Sequence, residues 1–247
     1  MAANVLDSIM LFGDSITEHG WMPGGHAQLL ADRYVRKLDV INRGLGGYNS
    51  EWGLTVFKQI FATKDEQTRL PTVRLLTFWW GANDAVVEGA VQHVDILHYI
   101  DNIHMAVSLV KSSTSPYYSP KTRIILMTPP PVNVAQRPDE ERSNERTKAY
   151  GVALRQLGEE LEVPVFDVWT AISDRAGDKE DGLVPFLSDG LHLTAEGYKI
   201  VFDGLMSTIE ANFPELMPDN LASVYPSWEE VGDEVNPRAI KPRRLDI

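Results

Sequence analysis

The chain has 247 residues, of which 43% are apolar, 23% charged and none cysteine, and its formal net charge is −12. These values describe one α/β-sized globular domain and exclude disulfides, thiolate catalysis and cysteine-ligated zinc. The negative surplus argues against nucleic acid or an anionic membrane surface as partner, because both would be repelled.

Residues 1–7 carry neither a basic start nor a long apolar stretch, and no later run approaches a membrane span, so a cytoplasmic location is expected. The first strand-sized apolar run covers residues 9–12 and leads into Gly13-Asp14-Ser15-Ile16-Thr17. A serine directly after a buried strand, at a glycine-permitted turn, can present its hydroxyl and its own N–H to a pocket. Alone it reads equally well as a helix cap. The second run, 38–41, leads into Asn42-Arg43-Gly44-Leu45-Gly46-Gly47-Tyr48-Asn49-Ser50. Glycines here can aim a backbone N–H inward, although a flexible turn is the blander reading. A dinucleotide fingerprint fails, because its third glycine would fall at Asn49.

The third run, 73–80, ends in Trp79-Trp80-Gly81-Ala82-Asn83-Asp84. An amide at a strand end can donate to a developing oxyanion, or simply hold an Asx-type turn. Ile96, Ile100, Ile103, Val107 and Val110 then share one helix face. His93, His98 and His104 lack the spacing of a metal site and are expected to decorate that helix; no metal and no cofactor are expected. A fourth run covers 123–128. Tyr150, Leu154, Leu157 and Leu161 mark another helix, behind the acidic residues Asp139, Glu140 and Glu141, which suit a helix N-terminus. The fifth run, 163–167, contains Pro164, tolerable at a strand start or sheet edge.

Ser188-Asp189-Gly190-Leu191-His192-Leu193-Thr194 follows. Asp and His three residues apart, with Gly190 permitting a bend, can place the carboxylate against the imidazole and so hold its tautomer. A last helix should start near Thr194 and run to about Asn212. From Pro214 onward, five prolines and several acids break any periodicity. Leu221, Val224, Tyr225 and Trp228 favour an arm packed on the domain or on a second subunit over a loose tail. The expected division is a domain over 1–213 and a Pro-rich acidic tail or packing arm over 214–247.

Short continuous Val/Ile/Leu runs alternating with helices predict a doubly wound parallel sheet, with chemistry at the C-terminal strand ends. Four of the loops supply, in order, a nucleophile, a glycine N–H, an amide donor and a base with its orienting acid. That set is what acyl transfer requires.

On Gly13-Asp14-Ser15, the glycine loop ending at Gly47, Gly81-Ala82-Asn83-Asp84 and Asp189-Gly190-Leu191-His192, the chain resembles the SGNH (GDSL-type) hydrolases. The closer likeness is to the isoamyl acetate-hydrolysing esterase group, through Gly47-Tyr48-Asn49-Ser50 with Trp52, Thr128-Pro129-Pro130-Pro131, Thr147-Lys148-Ala149-Tyr150 and the Trp-bearing tail. The resemblance implies a three-layer, flavodoxin-like sandwich with a five-stranded parallel sheet. It implies Ser15 as nucleophile, His192 as base and then acid, and Asp189 as its partner. Ser15 N–H, Gly47 N–H and the Asn83 side chain would form the oxyanion hole, with Gly46 an alternative donor. Trp80, Pro130 and Phe186 are the expected walls of the ester pocket. The acidic Glu51 departs from the neutral or basic residue expected there. The implied substrate is a small carboxylic ester of acetate type, and a homodimer is the expected assembly. A carbohydrate deacetylase, a lysophospholipase or a thioesterase would use the same residues. A catalytically silent binding module is disfavoured, because every motif residue is present.

Overall fold

Five short parallel strands carry the alternation expected of a sheet covered on both faces. They are β1 (Ser8–Gly13), β2 (Asp39–Gly44), β3 (Val73–Trp79), β4 (Arg123–Met127) and β5 (Val165–Phe166), in the spatial order β2-β1-β3-β4-β5. The computed structural model describes residues 6–138, 141–234 and 240–243. Residues 1–5, Asp139, Glu140 and Pro237 lie outside the described residues.

Successive side chains on the inner strands go to opposite faces. Ile9, Leu11, Leu75, Ile125 and Met127 face one core, while Met10, Phe12, Leu76, Phe78, Ile124 and Leu126 face the other. The first core is closed by α1 (Ser15–Glu18), α2 (His26–Arg33), α7 (Val168–Arg175) and α8 (Ala195–Asn212), through Ile16, Leu30, Ile172, Tyr198, Val201 and Leu205. The second is closed by α3 (Ser50–Ile60), which the short α4 (Lys64–Gln67) follows, α5 (Ile96–Lys111) and α6 (Asn144–Glu160), through Phe57, Tyr99, Ile103, Tyr150 and Leu154. The result is the three-layer α/β sandwich. The edge strand β2 is only half-buried, unlike the inner strands, because no strand lies beyond it. Pro164 stands just before β5, on the opposite edge.

Helix starts follow local chemistry. Thr194 caps α8 by accepting from Gly197 N–H, and Asp95 caps α5. The start of α6 differs from expectation: Ser143 is its cap and Glu145 its first-turn acid, while Glu141 lies before the helix. A serine hydroxyl that accepts the Arg146 N–H takes the capping role from the acidic run. His98 and His104 are exposed on α5, as expected, but His93 precedes the helix and its Nδ1 lies 2.8 Å from the Val86 carbonyl.

After α8, short 3₁₀ turns at Pro214–Leu216 and Pro218–Asn220 lead the chain across α2. Leu216, Leu221 and Val224 are buried. Trp228, expected to pack, is 80% exposed on α9 (Trp228–Glu234), beside the exposed first-turn acids Glu229 and Glu230. Among the described residues no helix is long and apolar enough to cross a membrane.

Candidate active site

The parallel register brings three strand ends to one level: Gly13 pairs with Gly44 on β2 and with Trp79 on β3. The loops that follow open side by side where the strand order reverses, which is where such sheets bind ligands. At Gly13 a Cβ would sit 2.3 Å from Thr17 Oγ1 and 2.4 Å from the Trp79 carbonyl oxygen, so only glycine lets the turn close against β3.

Asp14, not Ser15, caps α1; its carboxylate accepts the Ile16 N–H at 2.9 Å. Ser15 is the first helical residue, so its N–H is one that a helix start leaves without an internal partner. The Ser15 Oγ lies 2.9 Å from His192 Nε2, and His192 Nδ1 lies 2.8 Å from Asp189 Oδ2. Asp189 Oδ1 accepts the N–H groups of Leu191 and His192 at 3.0 and 2.8 Å. Partial burial opposes the charged form of Asp189, but these donors outweigh it and hold the carboxyl down to about 2. Arg137 adds a guanidinium at 2.9 Å on the same Oδ2 that faces the imidazole.

The loop bearing both residues is braced on each side. Leu187 and Leu193 bridge across its base. Gly190 has φ +85°, and a Cβ there would lie 2.5 Å from the Asn133 carbonyl oxygen, so the segment after β4 presses against the bend. The His19 ring stands 5.1 Å from that of His192.

From the third strand end, Asn83 is buried; its Nδ2 donates to the Tyr48 carbonyl at 2.8 Å and its Oδ1 accepts from Arg142 at 3.1 Å. Asp84 accepts the Ser50 N–H at 2.9 Å. The Asn83 side chain therefore crosses to other segments, and the Asp84 carboxyl joins its own turn, at Gly81, to Ser50. The Gly46 N–H donates to Glu18 Oε2 at 2.6 Å, whereas Gly47, at φ +78°, has its carbonyl held by Gln92 Nε2 at 2.6 Å. A hydroxyl bonded to an imidazole, whose second nitrogen faces an ionised carboxylate, has the means to pass its proton to that imidazole as its oxygen attacks a carbonyl carbon.

Residues 11–200 match the model of the GDSL-like Lipase/Acylhydrolase family. The chain belongs to this family. As a GDSL-like hydrolase, it is 33% identical to the isoamyl acetate-hydrolyzing esterase of Saccharomyces cerevisiae over 92% of this chain and 96% of that one. It is 34% identical to a GDSL esterase/lipase of Arabidopsis thaliana over 96% of this chain and 98% of the relative. In fold it is similar to the lipase/acylhydrolase of Enterococcus faecalis, with a TM-score of 0.63 and 22% identity over 88% of this chain and 98% of that chain.

The sequence motifs of this GDSL-like hydrolase meet in one place: Ser15, Asp189 and His192 form one hydrogen-bonded chain, and Tyr48, directly after Gly47, is bonded to Asn83. The expected pocket walls sit deeper. Trp80 is buried against Phe12 and over Gly53, Pro130 is buried, and Phe186 is half-buried against the first core. The half-exposed rings beside the motif loops are instead Trp21, Tyr48 and Trp52. Glu51 is exposed in the first turn of α3. Sequence reasoning missed Arg137, Arg142 and Gln92, since nothing local distinguishes a buried arginine from a solvated one.

Proposed function

We propose that this esterase-family protein hydrolyses small carboxylic esters of acetate type through an acyl-enzyme on Ser15. The carrying observation is the chain from Ser15 Oγ to His192 at 2.9 Å and on to Asp189 at 2.8 Å. In this reading His192 takes the Ser15 proton as Oγ attacks the ester carbonyl, then gives it to the departing alcohol. Water, deprotonated by the same imidazole, releases the acid. The oxyanion is held by the Ser15 N–H, the Gly47 N–H and the Asn83 amide. Gly47 is preferred to Gly46 because the latter's N–H is engaged by Glu18.

The acetate-type preference is supported by the relatives named isoamyl acetate-hydrolyzing esterases and by the bulky rings that stand as walls beside the motif loops, Trp21, Tyr48 and Trp52, the last two packed edge to face. Each added methylene that fits brings about 0.8 kcal/mol of burial, and one that meets such a wall costs about 1–3 kcal/mol. A cytoplasmic homodimer belongs to the same reading, supported by the cysteine-free composition and the exposed Trp228.

The test is kcat/KM across p-nitrophenyl esters of increasing acyl length, with isoamyl acetate as alcohol-side control. Values should rise slightly beyond acetate and then fall steeply, and Ser15→Ala should abolish all of them. Long-chain esters as the best substrates would replace this reading with a lysophospholipase or lipase-like one.

A further inference from the structure

One buried cation stands behind both of the oxyanion donors that the proposed function assigns outside α1. Arg142 precedes α6 and is 7% exposed. Its guanidinium donates to the Ala82 carbonyl and, at 3.1 Å, to Asn83 Oδ1; at 3.5 Å it reaches Gln92 Oε1. Gln92 Nε2 in turn donates to the Gly47 carbonyl at 2.6 Å, and Asn49 Nδ2 donates to the Gln92 carbonyl at 3.1 Å. One planar group thus touches the Asn83 amide directly and reaches Gly47 through a single intervening side chain.

The chemistry of these contacts is directional. A guanidinium only donates, so the Asn83 oxygen must face it and the amide nitrogen must face the other way. There Nδ2 bonds the Tyr48 carbonyl with one hydrogen, and a primary amide has a second to offer a substrate oxygen. A cation on Oδ1 also draws electron density from the amide and makes its N–H the stronger donor, in a setting where burial limits screening. Gln92 is polarised likewise: its oxygen faces Arg142, so its nitrogen is turned to the Gly47 carbonyl and fixes the Gly47–Tyr48 peptide, to which the Gly47 N–H is linked through the residue's φ of +78°. A lysine ammonium could not span the three acceptors, because they require the fork geometry of arginine.

We propose that Arg142 is a positioning residue for the oxyanion hole, aiming the Asn83 amide directly and the Gly47 loop through Gln92. The proposal rests on the esterase reading above. Without Arg142 the amide is free to flip or tilt, and a misplaced donor costs transition-state stabilisation while leaving ground-state binding largely intact.

The experiment uses the full chain with Arg142→Gln, Arg142→Lys, Asn83→Ala and the two double variants, assayed on p-nitrophenyl acetate with melting temperature measured alongside. Arg142→Gln should lower kcat by about 10- to 100-fold with KM changed less than about threefold, as expected for loss of an oriented donor. In the Asn83→Ala background the same change should cost less than about threefold, because the donor it aims is already gone. Arg142→Lys should keep the cation and most of the melting temperature, yet lose most of the kcat. Equal losses in both backgrounds, or a lysine variant with full kcat, would overturn the proposal and leave Arg142 as a strut between loops. Ser15→Ala separates the two levels: if it retains full activity, the acyl-enzyme on Ser15 is wrong, whatever Arg142 does.

Discussion

Two carboxyl groups, Asp14 and Asp84, are buried behind Ser15 and Asn83. Burial pushes Asp14 up to about 7 against the pull of the Ile16 N–H, with Asp84 adding to the rise; burial likewise brings Asp84 to about 6 against its bonds from Ser50. A carboxyl with a raised folded-state value binds its proton more tightly when folded. Its stabilising contribution is complete below the ordinary value of 3.8 and is lost as pH rises toward 7. His26 has the opposite sign: burial pushes it down to about 3, so it costs stability as pH falls below 6.5. Comparing wild type with Asp14→Asn isolates the carboxyl, since asparagine can keep the bond to Ile16. In urea unfolding from about pH 5 to 8, the wild-type advantage should shrink with rising pH by up to about 1.4 kcal/mol per unit. A difference constant with pH would mean that Asp14 is ionised throughout that range. At this scale Ser15 stood out by its place directly after β1, whereas Asp189 and His192 lie between α7 and α8, far from the strand end the sequence suggested, and stood out by their spacing alone. The sequence was opaque at Arg142, which stands among Glu140, Glu141 and Glu145 and looks like part of a solvated charge run. What buries it is the 82–92 segment, some fifty to sixty positions earlier, and no local pattern encodes that meeting.

Elements repeat the contrast. The inner strands β1, β3 and β4 and the long helices α5, α6 and α8 could be placed because each buries a continuous run or a single face, a signal contained in a dozen residues, whereas β5 shrinks to two residues of the run expected over 163–167. The segment after Asn212 could not, since it has no period of its own and takes its shape from the end of α2 and the turn that follows it. Tyr34 donates to the Leu216 carbonyl at 3.0 Å, the Val224 N–H donates to the Arg36 carbonyl at 2.8 Å, and Lys37 donates to the Pro218 carbonyl. Arg33 pairs with Asp219 at 2.7 Å, although so exposed a pair adds little. The weight lies in Leu216, Leu221 and Val224, whose burial is worth about 1.5–3 kcal/mol each as an upper bound. Truncation after Asn212 should therefore lower the melting temperature by several degrees or more, read by calorimetry. An unchanged melting temperature would show that these contacts add nothing to the folded state. Trp228→Ala, by contrast, should leave monomer stability within about 0.5 kcal/mol, because that ring is already in water.

Across the whole molecule the field is negative, with 35 acidic against 23 basic side chains. A neutral ester approaches without feeling it, and an anionic one is repelled over distances that salt shortens. Between about 10 and 200 mM salt, kcat/KM for a hemisuccinate ester should climb several-fold while that for the acetate stays level. A fall with added salt would show that Arg137 and its neighbours dominate the approach instead. The loop braced by Leu187 and Leu193 has one further consequence, and it concerns biosynthesis. Asp189 and His192 arrive together, three positions apart, whereas Ser15 precedes His192 by 177 positions. At ribosomal rates of about 5–20 residues per second, roughly 9 to 35 seconds separate the emergence of the hydroxyl from that of its imidazole. In the proposed reading Ser15 has no imidazole to take its proton through that interval, so the catalytic unit can form only after residue 192 has emerged.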